Sequence, residues 1–288
     1  MKKYASIFAV TAIIALFAAS CGKNNPAQPE PQLVKLSSFD YDVYMGPSGQ
    51  SQHWKYTLTY DGNDKLTKID KEEYDFKYDD KGEKYLSDSE LERKTVWTFT
   101  WKEGLTVNYE MTDVAYDDDG QGGRKELDQG TRTGTYTFDE KGKVSEYQCT
   151  DDDKTRWSYK FTYDGDYLIA GNYNRKKCTY TWQNGDLVSM TGADGDKADF
   201  TYGTEANPII LGVNPIFLYH NFYSEDFTMG LTGRHPAHLP VKATGSSYGS
   251  DFENEFTYTK DGQGRLATIK MTAPEFGDGA YIVYTLNY

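Results

Sequence analysis

Asp117 to Asp128 reads "DDDGQGGRKELD". Asp117, Asp119, Gly122 and Asp128 fall where a calcium loop needs its carboxylates and its turn glycine. Gln121 and the closing aspartate are poor substitutes for the usual ligands, and both flanks alternate as strands do. A solvated acidic hairpin loop therefore accounts for the stretch, with calcium as the alternative. His235 and His238 form "HPAH", a spacing at which two imidazoles can share a metal. Pro236 breaks any regular helix there, and no third ligand stands nearby. The chain has four histidines and no nucleophile motif, so a serine or cysteine triad finds no support. Paired carboxylates for glycoside chemistry stay open, because acids are abundant and their sequence spacing says little. Exposed aromatics could stack on a sugar ring or a peptide, and Tyr219, Phe222 and Tyr223 are the candidate binding residues. No residue pattern calls for a cofactor.

A different chemistry is written at Cys21. Lys2 and Lys3 precede the apolar run "IFAVTAIIALFAA", which is short for a membrane span and ends in small residues. Residues 1–20 read as a signal peptide. The junction "FAASCGK" resembles the lipobox of bacterial lipoproteins, with Ala18 where leucine is usual. That resemblance implies cleavage before Cys21 and acylation of its sulfur and its new amino group. Several acyl chains hold a protein stably at a membrane. Residues 21–33 then form a polar, proline-rich tether, and residues 34–288 the folded part. "GKNN" after Cys21 lacks an acidic export cluster, which favours the periplasmic side of the outer membrane.

The formal net charge is −13, and loss of residues 1–20 deepens it by two. An acidic chain is repelled by phosphate backbones, so nucleic acid is excluded as a partner. An anionic lipid surface offers no attraction either, which leaves acyl chains as the anchor.

What must position any site is a repeated phrase. "YTLTYDGNDKLTKI" starts at Tyr56, "YTFDEKGKVSEY" at Tyr136, and "FTYTKDGQGRLATI" at Phe256. Period-two alternation of aromatic and polar residues makes strands with one buried face. The polar loops carry glycine late, where hairpins need positive φ, and Gly142 and Gly264 are the clearest cases. The acid near each turn caps the backbone locally. The phrase is thus strand, turn, return strand: architecture rather than a repeated ligand site. Strand-ending aromatics are expected at Tyr60, Tyr78, Trp101, Phe138, Tyr163, Trp182, Tyr202 and Tyr258. The fold class is all-β: a large antiparallel up-and-down meander of roughly fourteen to seventeen strands, closed or nearly closed into a barrel or roll.

Residues 204–245 break the rhythm. Asn214–Pro215 offers a helix start, so one short helix or an irregular lid is expected there. Packing over one end of the β core is favoured over a gate beside a cleft. Cys149 and Cys178 are expected to be separated by two strands, roughly 14 Å, beyond disulfide reach.

The lipobox, the tether, the hairpin phrases, "HLPVKA" and the closing "YIVYTLNY" together resemble uncharacterised lipoproteins of Bacteroidota, a domain of unknown function with a porin-like fold. The resemblance implies a large meander barrel and carries no catalytic residues. The Thr/Lys faces offer no continuous lipid-facing band, so a lipid-anchored and otherwise soluble barrel is the reading. The expected function is a non-enzymatic binding or interaction module of the cell envelope, with a glycan or protein as partner. Two alternatives are a glycan hydrolase with carboxylates in a barrel mouth, and a carrier of an apolar ligand inside the roll.

Overall fold

The computed structural model describes residues 33–46, 49–78, 84–102, 106–119, 124–151, 154–173, 176–192, 195–207, 209–211, 233–247, 249–274 and 277–288. The strands, in chain order, are β1 (Leu33–Lys35), β2 (Ser38–Tyr44), β3 (Gln50–Tyr60), β4 (Leu66–Tyr78), β5 (Lys84–Trp101) and β6 (Thr106–Asp118). Next come β7 (Arg124–Phe138), β8 (Val144–Asp151), β9 (Lys154–Asp164), β10 (Tyr167–Tyr173), β11 (Lys176–Gln183) and β12 (Asp186–Thr191). The last are β13 (Lys197–Ala206), β14 (Ile209–Leu211), β15 (His238–Ser247), β16 (Ser250–Lys260), β17 (Leu266–Thr272) and β18 (Tyr281–Asn287). Sixteen of them close an antiparallel barrel, each beside its chain neighbour. β18 pairs with β2 to seal it, and β1 and β14 form a separate parallel pair.

Alternation sets the two faces of the wall. In β3, Tyr56 and Leu58 are buried while Lys55, Thr57 and Thr59 are exposed. In β16, Phe252, Asn254 and Phe256 are buried while Asp251, Glu253, Glu255 and Thr257 are exposed. In β13, Ala198 and Phe200 alternate with exposed Lys197, Asp199 and Thr201. In a closed barrel the face withdrawn from water is the inner one. A round sixteen-strand barrel would hold an aqueous channel. Here the inner faces form one buried cluster. One part of it is a run of tyrosines. Tyr109 on β6 and Tyr147 on β8 meet across β7, hydroxyl to hydroxyl at 2.6 Å. They can do so because Gly134 lies between them: a Cβ there would stand 2.2 Å from the Tyr109 ring.

The barrel has two unlike poles. At one pole the hairpins are tight. Asp61, Asp139 and Asp261 each accept two backbone N–H bonds, from the residues two and four positions on. In the last two of these turns Gly142 and Gly264 have φ of 77° and 81°, and Asp64 takes the same role at 67°. The fourth turn residue is this left-handed one, and its N–H bonds back to the aspartate carbonyl: a type I turn with a bulge. Asn184–Gly185 makes the two-residue turn with both φ positive that right-twisted strands favour.

Aromatics collar this same pole. Trp101 Nε1 donates to the Leu66 carbonyl at 2.8 Å, and Trp182 Nε1 to Leu168 at 2.7 Å. The hydroxyls of Tyr163, Tyr202 and Tyr288 donate to Val144, Leu187 and Leu266 at 2.8, 2.7 and 2.7 Å, and Tyr258 donates to Pro240. Each lies towards the tight-turn end of its strand, with Tyr202 four residues short of that end and Tyr288 just past it, and reaches the start of the preceding strand in the sheet. The ladder slips at most of these ends, as between Thr181 and Trp182 and between Thr201 and Tyr202. A bulge leaves a carbonyl unpaired, and the amphipathic ring covers the core while its polar tip takes that carbonyl. Tyr60 and Phe138 hold equivalent positions. Tyr78 does not: it ends β4 at the other pole, and Tyr288 completes the ring of eight.

The opposite pole is open-textured. β4 to β7 have 13, 18, 13 and 15 residues, against 11 or fewer elsewhere in the wall, so they run past the rim as a fin. Near this rim the inner face turns ionic: Lys71 Nζ lies 2.6 Å from Glu73 and 3.9 Å from the Trp54 ring centre. Thr95 and Arg93 both bond Asp113, at 2.9 and 2.8 Å.

Candidate binding surface

The outer wall is mostly threonine and paired charge, which makes one aromatic strip at the open pole conspicuous. Strand closure builds it. Tyr281 begins β18 and Tyr44 ends β2, directly opposite in register. Their rings stack at 4.5 Å with 16° between planes. One strand further, His53 faces Asp42, with Nδ1 2.7 Å from Oδ1, and Gln50 Nε2 donates to the same oxygen. His53 in turn sits opposite Tyr74, ring centres 5.6 Å apart. The Tyr74 hydroxyl donates to Glu72 at 2.7 Å, and Lys94 Nζ donates to its other oxygen at 3.1 Å.

Beside Tyr281 lies a groove of about 330 Å³, lined in part by Glu253, Glu255, Lys270, Thr272 and Pro274. Lys270 Nζ rests 3.7 Å from the Tyr281 ring centre. Glu253 is paired with Lys242 at 2.7 Å. A shallow groove with an aromatic wall, two carboxylates, an ammonium and a hydroxyl can grip a polar, flat-faced ligand such as a sugar ring or a peptide segment.

Electrostatics on the strip follow burial and pairing. Burial raises the Asp40 carboxyl; His53 opposes this and Asp42 adds to it. Burial alone would raise Glu72, but the bonds from Tyr74 and Lys94 bring it below the usual range. The hydrogen bond to Glu72 raises Lys94. Burial, with Asp42 and Tyr281 nearby, raises the Tyr44 phenol. Asp40 and Asp42 sit two apart on one strand of the wall and do not face each other across the groove.

Asp117 lies opposite Lys125, one pair short of the end of the β6–β7 ladder, and Asp128 lies in β7 opposite Ala115. The structure thus puts them on paired strands, with Asp119 just beyond β6. Among the described residues, no group of three or more histidines, cysteines or acids is placed to hold a metal. His238 is clamped by Asp186, which accepts its backbone N–H and contacts its Nδ1, both at 2.9 Å. His235 lies three residues before His238, ahead of β15, and burial pushes its imidazole pKa down to about 4. Gly233 to Ala237 form a strap across the tight-turn pole: Arg234 N–H donates to the Asp166 carbonyl at 2.9 Å and Ala237 N–H to Gly185 at 3.1 Å. These five residues do pack over one end of the core; residues 212–232 of the same segment lie outside the described residues. The helix expected after Asn214, with Tyr219, Phe222 and Tyr223, lies outside the described residues, as does Cys21.

Cys149 and Cys178 are buried and not joined by a disulfide, on β8 and β11, with β9 and β10 between them as the meander requires. The strip itself was missed from sequence. Tyr44 and Tyr281 each look like one more alternating aromatic until closure sets them side by side.

No protein-family model matches the chain, and no curated protein sequence matches it. Thirteen solved chains are similar in structure. One, a porin-like protein from Bacteroides uniformis ATCC 8492, covers 91% of this chain and 99% of its own length, at a TM-score of 0.58 and 17% identity. At that identity the likeness is one of fold, and the fold is the porin-like closed antiparallel barrel.

Proposed function

We propose that this chain is a lipid-anchored, non-enzymatic binding module of the cell envelope, whose barrel stands in water and offers its outer wall to a glycan or protein partner. The observation that carries the reading is the polarity of the wall. A membrane-spanning barrel needs an outward apolar band and tolerates a polar lumen. Here the outward positions hold Lys55, Thr57, Asp199, Glu253 and Thr257, and the inward ones Tyr56, Leu58, Phe200, Phe252 and Phe256. Several charged outward residues per strand would cost a few kcal/mol each at mid-bilayer, roughly 2–4 for a lysine. The anchor falls to Cys21, and the buried inner faces weigh against a carrier role. The strip from Tyr281 to Tyr74 and its groove are the surface best suited to a ligand. The likeness to a porin-like protein accords with an outer-membrane or envelope location, and "GKNN" favours its periplasmic side.

The test places the mature chain, with Cys21→Ser, behind a cleavable signal peptide of an ordinary secreted protein. It should appear folded in the soluble fraction without detergent, while the wild type pellets with membranes and carries fatty acid. A Cys21→Ser chain that still needs detergent would make the barrel a membrane-spanning one.

A further inference from the structure

We infer that the barrel stands with its tight-turn pole towards the membrane and its fin, groove and aromatic strip pointing away. The inference rests on Cys21 carrying the anchor; its own evidence is where the chain enters the fold. β1 follows the tether directly and pairs in parallel with β14, which leaves the barrel after β13 at the tight-turn pole. Lys35 bridges to Asp64 in the β3–β4 turn and lies over the Tyr60 ring. Leu36 is fully buried, and the Ser37 N–H donates to the Asn287 carbonyl at 2.9 Å. The entry point is therefore pinned among the turns and the collar.

Length decides the rest. The stretch from Cys21 to Leu33 spans at most about 40 Å when fully extended, and about 20 Å as a flexible coil. β5, with 18 residues, runs from the fin to the collar. At about 3.3 Å per residue that is about 60 Å, or about 45 Å along the axis at the usual strand tilt. An inverted barrel would hold its entry point farther from the lipid than the tether can stretch. Charge agrees. The chain is strongly acidic, yet exposed Lys141, Arg234, Lys260 and Arg265 stud the tight-turn pole among its turn aspartates. A balanced pole meets an anionic leaflet with little repulsion, whereas an acidic wall does not. The candidate binding surface then lies on the side a partner in the aqueous space can reach.

The experiment uses the full-length acylated protein in vesicles of phosphatidylethanolamine and phosphatidylglycerol with an acceptor dye on the headgroups. A donor dye is placed at Glu140→Cys or, as a second turn site, Gln263→Cys, and separately at Leu127→Cys on the fin; all three positions are exposed. Energy transfer should be several-fold greater from either turn site than from the fin. Equal transfer, as from a barrel lying on its side or tumbling, overturns the inference, and so does the reverse order. Mass measurement of Cys21 in the same sample separates the two ideas. An unmodified cysteine sinks the anchor and the orientation with it; a modified one with equal transfer sinks the orientation alone.

Discussion

The two poles solve the same problem, ending sixteen strands, in different ways. At the tight-turn pole polar groups are matched to backbone. Asp61, Asp139 and Asp261 hold turn N–H groups, and collar aromatics hold strand-start carbonyls. At the open pole side chains are matched to side chains: Glu72 with Lys94, Glu253 with Lys242, Asp42 with His53. The collar bonds, half-buried beneath their rings, satisfy carbonyls that would otherwise stay unpaired, whatever the neighbours do. Exposed ion pairs contribute little and can be exchanged freely. The first pole is a foundation, and the second is the freer of the two to vary.

Two lysines put this contrast to its strongest test. Lys143, with only 2% of its side chain exposed, lies under the tight turns, bonding the Gly165 carbonyl, 3.1 Å from Asp166 and above the Tyr163 ring. Lys143→Ala removes a buried stem and a charged hydrogen bond, so stability should fall by roughly 2–3 kcal/mol in a denaturant titration. A loss under about half a kcal/mol would erase the distinction between the poles. Tyr202→Phe isolates one collar bond. It strips the partner from a carbonyl on Leu187, which is fully buried, and should cost about 1 kcal/mol in midpoint-derived stability. No change would reduce the collar to apolar packing. Lys242→Ala breaks an exposed pair at the open pole and should shift stability by no more than about 0.5 kcal/mol. If it cost as much as Lys143→Ala, the open pole would be as structural as the other.

Most of the foundation can be read from residues alone. Trp54, Tyr56, Leu58 and Tyr60 declare an inner face within seven residues, and "DEKGK" and "KDGQGR" declare their turns, because strand period and turn chemistry are local. Tyr78 ends a strand as expected, yet at the other pole from its companions, because an aromatic closing a strand looks the same at either end and only the hairpin count says which it occupies. The aromatic strip is illegible for a related reason. Tyr44 is made outward-facing by register, and it meets Tyr281 only after the whole wall has closed. The parallel pairing of Leu33–Lys35 with Ile209–Leu211 has no local mark either.

The seam between β2 and β18 also dictates an order of assembly. Ser37 and Asn287 are hydrogen-bonded across 250 residues of chain. As the polypeptide emerges, successive hairpins can zip onto one another, but the free edge of β2 must wait for the final strand. Throughout that interval an unpaired edge stays available to other chains. Late, long-range closure makes for slow folding. Biogenesis of this barrel should therefore lean on holding factors until its last strand arrives, more than its many local hairpins would suggest.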